Sequence, residues 1–423
     1  MESFFAKLNQ IAKDPDLRRR ILVVIGAFVL FRFGGNIPIP GVNTAALDQL
    51  LSNNSFLGLL NIFSGGGLDR LSIFMLGVSP YITSSIIMQL LTMIFPSMKR
   101  LYQEEGEAGR AKFAQYSRLL SVPLGLVQGF GLLALLRQQG VLLDLTGAGQ
   151  LVALIVFVAG SMLLMWIAEL MNEYGIGNGM SLLIFGGIVA AFPGSISQIL
   201  FTFDQSQIFL YALFIVISLL AMFAVVMITE AERPIPITYA KRIRGMKVYG
   251  GGSTYLPLRL NQSGVIPIIF ALSILLFPQM IGSFLATSTH AVLQNIASVI
   301  NAVTGNLAVY GIFYFILVFL FTYFYTAVTF DPDSISENLQ KSGAFISGVR
   351  PGPSTSQYLG KVISRLTLVG ALFLGIIAVL PLVLEASTGI QALAIGGTSL
   401  LIVVSVVLEL LKQLEAQLSM REY

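Results

Sequence analysis

Between Arg259 and Asp331 the chain carries no Asp, Glu, Lys or Arg. One α-helical crossing of a bilayer takes about 20 apolar residues, so this stretch alone has room for two. The rest of the sequence agrees: of 423 residues, 55% are apolar and only 11% are charged. No water-soluble fold hides that much apolar surface, and the chain reads as an integral membrane protein. Cysteine is absent and histidine occurs once, at His290. That composition excludes disulfide frameworks, Cys/His zinc sites, thiol nucleophiles and any mechanism that needs two imidazoles.

Uncharged runs with short polar interruptions predict ten spans, at 21–37, 71–95, 117–137, 151–170, 176–193, 208–229, 263–286, 307–329, 366–384 and 392–411. The first contains Arg32 near its far end, which must snorkel outward or find a partner. Arg18, Arg19 and Arg20 precede it like the basic lead of a signal peptide, but Phe33-Gly34-Gly35-Asn36 offers no small-residue cleavage site, so it reads as retained. Of the 25 Lys and Arg, all but Arg32, Arg70 and Arg137 fall on one side of these spans. The positive-inside rule makes that side cytoplasmic and places both termini there, 1–20 as the N-terminus and 412–423 as the tail. The two largest cytoplasmic loops are 230–262 and 330–365. Ten spans divided as 21–193 and 208–411, joined by the external stretch 194–207, give two five-span halves of opposite orientation, an arrangement common in transporters. The two halves share no obvious motif.

The segment 56–71, between spans one and two, is apolar enough to enter a bilayer and too short to cross it. Phe56 to Phe63 is followed by the breaker Ser64-Gly65-Gly66-Gly67. Two readings fit: a half-helix dipping in from outside, sheltered by protein, and an interfacial helix lying on the membrane.

Catalysis finds little footing. His290 lies in an uncharged external loop, and neither Tyr249-Gly250-Gly251-Gly252-Ser253-Thr254 nor Gly175-Ile176-Gly177-Asn178-Gly179 has the surroundings of a phosphate cradle. The first reads as a turn, the second as the entry to a membrane helix. Ion-coupled transport calls for ionisable groups near the midplane, whereas Glu169, Glu230, Glu385 and Glu409 all fall at span ends. The interior polar groups are neutral: Ser79, Thr83, Ser84, Ser85 and Gln89 in span two, Gln128 in span three. Helix–helix hydrogen bonds account for such residues, as does a polar cavity or a moving seam. Val78/Ile82 and Ile184/Ile188 are each four apart and stack on one helix face, as aliphatic pairs do on any membrane helix. The loop 239–259 concentrates Lys241, Arg242, Arg244, Lys247 and Arg259 without an acidic residue, among Gly245, Tyr249, the glycine run, Tyr255 and Pro257. A shaped hairpin presenting cations to RNA phosphates or to an acidic protein face is expected there. In the second loop a lone Arg350 sits in Ser347-Gly348-Val349-Arg350-Pro351-Gly352-Pro353.

Six motifs appear in the order seen in the SecY family of protein-conducting channels: Phe63-Ser64-Gly65-Gly66-Gly67-Leu68; Pro80-Tyr81-Ile82 followed by Ser/Thr and Ile86-Ile87; Gly175 to Gly179; Ala240-Lys241-Arg242-Ile243-Arg244-Gly245; Gly348-Val349-Arg350-Pro351-Gly352; and Gly397-Thr398-Ser399-Leu400-Leu401-Ile402. The chain resembles this family nearly end to end. The resemblance implies an all-α membrane protein of ten transmembrane helices in two inverted halves around an hourglass pore, with no cofactor and no enzymatic activity of its own. Its partners would be SecE and SecG, the ATPase SecA, a docked ribosome, signal-bearing preproteins and membrane lipids, in the plasma membrane of a bacterium. Unfolded preproteins would pass through the pore, and apolar segments would leave sideways into lipid. Matched motif by motif, Val78, Ile82, Ile184, Ile188, Ile269 and Ile402 would form a pore ring; Val78 stands where members commonly have isoleucine. Asn61, Ile62, Phe63, Ser64, Gly65, Gly66, Gly67 and Leu68 would belong to an external plug. Spans two and three, with Gln89 and Gln128, would face spans seven and eight across a lateral gate. Lys241, Arg242, Arg244, Lys247 and Arg350 would dock the motor or the ribosome. A secondary transporter for a small solute is the alternative; missing midplane charge and large basic loops weigh against it.

Overall fold

The computed structural model describes residues 14–39, 47, 61, 66–68, 71–138, 140–141, 147–201, 208–239, 242–244, 247–249, 252–286, 290–388 and 391–419. Helices dominate, and each of the ten expected spans overlaps one. The first six are α1 Pro15–Gly35, α2 Ser79–Ile94, α3 Pro96–Gln103, α4 Gly106–Gln138, α5 Gly147–Tyr174 and α6 Gly179–Phe201. After α7 Ile208–Glu230 come the strands β1 Glu232–Tyr239, β2 Arg242–Arg244, β3 Lys247–Tyr249 and β4 Ser253–Arg259. The chain continues through α8 Ile266–Ala286, α9 Ala291–Gly305, α10 Leu307–Thr329, α11 Pro332–Lys341, β5 Ala344–Ile346, α12 Pro353–Thr388 and α13 Gln391–Ser419. Among the described residues five helices are individually long and apolar enough to cross a bilayer, or six if α2 and α3, bent by 113° about Phe95, form one broken span.

Local chemistry sets the helix ends. Asp14 accepts the N–H groups of Asp16 and Leu17 and Pro15 occupies the first turn, so α1 starts there, ahead of its apolar stretch. Asn306 does the same for Ala308 and Val309 at the start of α10. The helices α4 and α12 begin well before the expected spans at 117 and 366, at Gly106 and Pro353. Hydropathy marks the bilayer, and the helical hydrogen-bond ladder runs on into water, carrying Arg110, Lys112, Lys361 and Arg365 with it.

Span two departs from expectation in the other direction. Residues 71–78 are turns, and the helix starts only at Ser79. Gly77 has φ of +57°, a conformation that does not continue a right-handed helix, and Pro80 then sits in the first turn of α2. Irregular backbone at this depth needs partners inside the protein. The stretch finds them on the segment after α1: Pro38 bridges Ser72, Ile39 N–H donates to Leu71 O at 3.0 Å and Ile73 N–H to Ile37 O at 3.2 Å. Ser72, Phe74, Met75 and Leu76 are buried, and the Phe74 ring stacks on Phe31 of α1.

The first half, α1 to α6, packs through α2 on α4 and α5, and α5 on α1 and α6; in the second, α10 and α12 pack on one another, with α8 on α10 and α13 on α7 and α12. The halves meet along two seams, α8 against α2 and α4, and α6 against α13. A central hydrophobic cluster draws on helices of both halves.

On the side with most Lys and Arg, three strands form a sheet of order β4-β1-β5. β1 pairs antiparallel with β4, Glu232 opposite Arg259 through Thr238 opposite Ser253, and with β5, Ile237 opposite Ile346. The two large loops therefore form one body. Its core of Ile235, Ile237, Leu258, Ala344, Ile346, Leu359, Val362 and Ile363 includes the first turns of α12.

Candidate functional site

The six aliphatics singled out in the sequence are all buried in one hydrophobic cluster. Val78 immediately precedes α2 and accepts the Ile82 N–H at 3.1 Å; Ile184 and Ile188 lie on α6, Ile269 on α8 and Ile402 on α13. All six belong to the central cluster and are 1% to 6% exposed. Nearby hydroxyls turn back onto their own helices: Thr83 Oγ1 donates to Ser79 O at 3.0 Å and Ser273 Oγ to Ile269 O at 2.9 Å. Their donors are thus satisfied one helical turn back. The six branched side chains themselves offer only apolar contact, which excludes water and forms no directional bond.

Of the plug residues, Ile62, Phe63, Ser64 and Gly65 lie outside the described residues. Asn61 is helical, and its carbonyl accepts the Gly66 N–H at 2.9 Å. Gly67 O accepts the Ser72 N–H at 2.8 Å. A Cβ on Gly67 would stand 2.9 Å from both Phe74 O and Ser72 Oγ, so only glycine passes so close to the turn that follows. Leu68 is fully buried beside Leu71, Leu132, Leu133 and Leu136. The C-terminal end of the segment is thus held inside protein, next to the bridge at Pro38 and Ser72. Arg32 is exposed, and its Nη1 comes 3.9 Å from where a Cβ on Gly66 would stand.

Gln128, buried on α4, donates through Nε2 to Thr83 Oγ1 on α2 at 3.2 Å. Gln89 turns back instead, donating to Ser85 Oγ one turn earlier on its own helix at 3.3 Å, while its buried Oε1 has no hydrogen-bond partner. The i−4 serine is the nearer acceptor. Both α2 and α4 pack on α8, so these glutamines sit on helices that border the same seam.

The basic hairpin forms as expected: β2 pairs with β3, Arg242 opposite Tyr249 and Arg244 opposite Lys247. Lys241 lies outside the described residues. Below the tip, Arg259 and Glu232 make a cross-strand ion pair at 3.4 Å. Arg350 is exposed on the turn after β5, and its backbone is fixed. Thr355 Oγ1 donates to Arg350 O at 2.8 Å, Ser336 Oγ to Gly352 O at 2.6 Å, and Ser356 Oγ to Asp333. Gly175 to Gly179 is a helix entry: Asn178 caps α6 by accepting the N–H groups of Met180 and Ser181, and Asn172 accepts that of Gly179.

Two contacts escaped the sequence reading. Arg118 on α4 pairs with Glu169 on α5 at 2.6 Å, and Lys412 near the end of α13 pairs with Glu230 at the end of α7 at 3.0 Å. The carboxylates were visible at span ends; their partners, far away in sequence, were not.

The SecY family profile matches residues 72–411. Over 97% of each chain, the sequence is 42% identical to the protein translocase subunit SecY of Streptomyces coelicolor. In fold it is similar to a solved SecY channel whose plug domain stabilises the closed state and maintains a membrane seal, with a TM-score of 0.66 and 21% identity over 96% of this chain and 93% of that one. It is also similar to Sec61 in the canine ribosome–channel complex of the endoplasmic reticulum, with a TM-score of 0.59 and 19% identity over the same shares. The chain belongs to the SecY family.

Proposed function

We propose that the chain is the pore-forming subunit of a protein translocase in a bacterial plasma membrane, with both termini in the cytoplasm. Unfolded preproteins cross it between the halves 21–193 and 208–411, and apolar segments leave through the seam of α2 and α4 against α8. SecE and SecG are its companion subunits, and SecA or a translating ribosome drives the substrate. One observation carries this reading: six branched aliphatics from α2, α6, α8 and α13, drawn from both halves, share one buried cluster. Seats on four different helices let the collar widen as the halves part and close again by contact alone. The segment 61–68 caps it from outside. The basic hairpin, which lies between β1 and β4 in the chain, and Arg350, on the turn after β5, form the docking face for the driver, where clustered cations meet phosphates or carboxylates.

The test is a crosslink. The sequence has no cysteine, so Ile82→Cys or Ile188→Cys introduces a single thiol at the collar. Each should react with a cysteine in a preprotein stalled during translocation, whereas Leu154→Cys should not. Substrate that crosses while no ring position ever reacts would return the six residues to ordinary packing.

A further inference from the structure

We propose that α9 is an interfacial helix, seated at the outer boundary of the bilayer with one side against lipid acyl chains. The sequence places 287–306 in an external loop, and nothing in the pore or the docking face uses it. Fifteen residues rise about 22 Å, short of the roughly 30 Å hydrocarbon core, so α9 does not cross. Val292, Ile296, Val299 and Val303 follow one another at intervals of four, three and four and lie on one side of the helix. All four are exposed, Val292 to 70% and Val299 to 62%.

A second side packs inward. Ala297 is buried, Leu293 and Ile300 are half-buried, and a Cβ on Gly282 of α8 would stand 2.6 Å from Asn301 Oδ1 and 2.9 Å from Ile300 Cγ2. The helix thus lies hard against the last turns of α8, within the depth of that span, and runs directly into α10. The third side is polar, with Asn295 and Ser298 exposed.

Lipid is the occupant that fits. The flanking spans likewise leave large apolar side chains exposed, Ile281 on α8 and Ile312 and Phe313 on α10. No charged residue lies between Arg259 and Asp331, so seating depends on apolar contact and not on anionic headgroups. Because α8 borders the seam, α9 holds the outer end of a gate helix at the lipid surface. That consequence rests on the channel reading; the seating itself does not.

Nitroxide depth measurements test it. Single-cysteine variants Val292→Cys, Val299→Cys and Ser298→Cys of the full chain, purified with its accompanying subunits, are spin-labelled and placed in phosphatidylcholine nanodiscs. Collision with oxygen, which concentrates in lipid, is compared with collision with a water-soluble nickel chelate. The oxygen-to-nickel ratio should be several-fold higher at 292 and 299 than at 298, in zwitterionic lipid alone. Equal ratios at the three sites would overturn the seating, as would labels at 292 and 299 shielded from both reagents, which would mean a protein surface covers the stripe. The measurement reads depth and not substrate passage, so it fails independently of the translocase reading.

Discussion

Two buried regions of this molecule are built on opposite principles. The central cluster joins helices from both halves by contact between aliphatic and aromatic side chains, and the buried hydroxyls of Thr83, Ser273 and Thr322 bond back to their own helices. The body formed by the two large basic loops is stitched by strand ladders from β1 to β4 and β5, and by Ser336, Thr355 and Ser356 bonding across its turns. Non-directional contact is lost and regained over a range of separations, while hydrogen-bonded geometry holds at one. A region that must part is therefore best sealed with methyl groups, and one that must present charges in register is best laced with backbone bonds.

The largest expected effect comes from deleting 60–67, which would remove the proposed cap over the proposed collar and leave the bridge of Pro38 and Ser72. If capping favours the closed state by about 3 kcal/mol, its loss raises the open fraction roughly a hundredfold. Ion conductance of reconstituted protein should rise accordingly while the bundle stays folded. Unchanged conductance would favour the surface-lying reading of the segment.

The loop body should fail differently. Leu359 of α12 is fully buried in its core, and Leu359→Ala should cost about 2 to 5 kcal/mol. Limited proteolysis should then cut the loops 230–262 and 330–365 while the membrane helices stay protected. Cleavage throughout the bundle would mean that the two regions fold as one, and the contrast drawn above would not hold.

Charge reversal at the docking face should alter binding without altering fold. Arg242→Glu with Arg244→Glu, or Arg350→Glu, inverts cations that on the proposed reading face the driver's phosphates or carboxylates, each such contact being worth on the order of 1 to 3 kcal/mol. Affinity for SecA or ribosomes should drop about tenfold or more at low salt, with thermal stability close to the parent. Binding that survives both reversals would reduce these cations to topology signals.

Much of this was legible in the sequence, for physical reasons. Charge-free runs located the spans because the bilayer tolerates little else, and the glycine-punctuated basic run announced the hairpin. Membership of the SecY family displaces the small-solute transporter, which composition had left open. Other features were out of reach. Residues 71–78 are as apolar as the helix after them, and only non-local bonds to Ile37 and Ile39 show that they do not continue it. α9 is uncharged and short, so it reads as loop until the exposure of its stripe is seen. The partners of Glu169 and Glu230, Arg118 and Lys412, are set by helix packing that no local pattern encodes.

The smallest effect separates two glutamines that the sequence treats alike. Gln128 bridges α4 to Thr83 of α2 at 3.2 Å, so Gln128→Leu removes an interhelical bond and leaves the Thr83 hydroxyl with its bond to Ser79 O. Interhelical bonds of this kind average about 0.6 kcal/mol in membrane proteins. Gln89 already carries a buried oxygen without a partner and bonds only within α2. Gln89→Leu removes an unsatisfied acceptor as well as a local bond, and should be neutral to slightly stabilising. Both helices border α8, so both changes should read out as shifts in the hydrophobicity a signal sequence needs to open the seam, and the shifts should have different size or opposite sign. Equal shifts from the two substitutions would show that apolar volume at the seam, and not the Thr83 bond, sets the threshold.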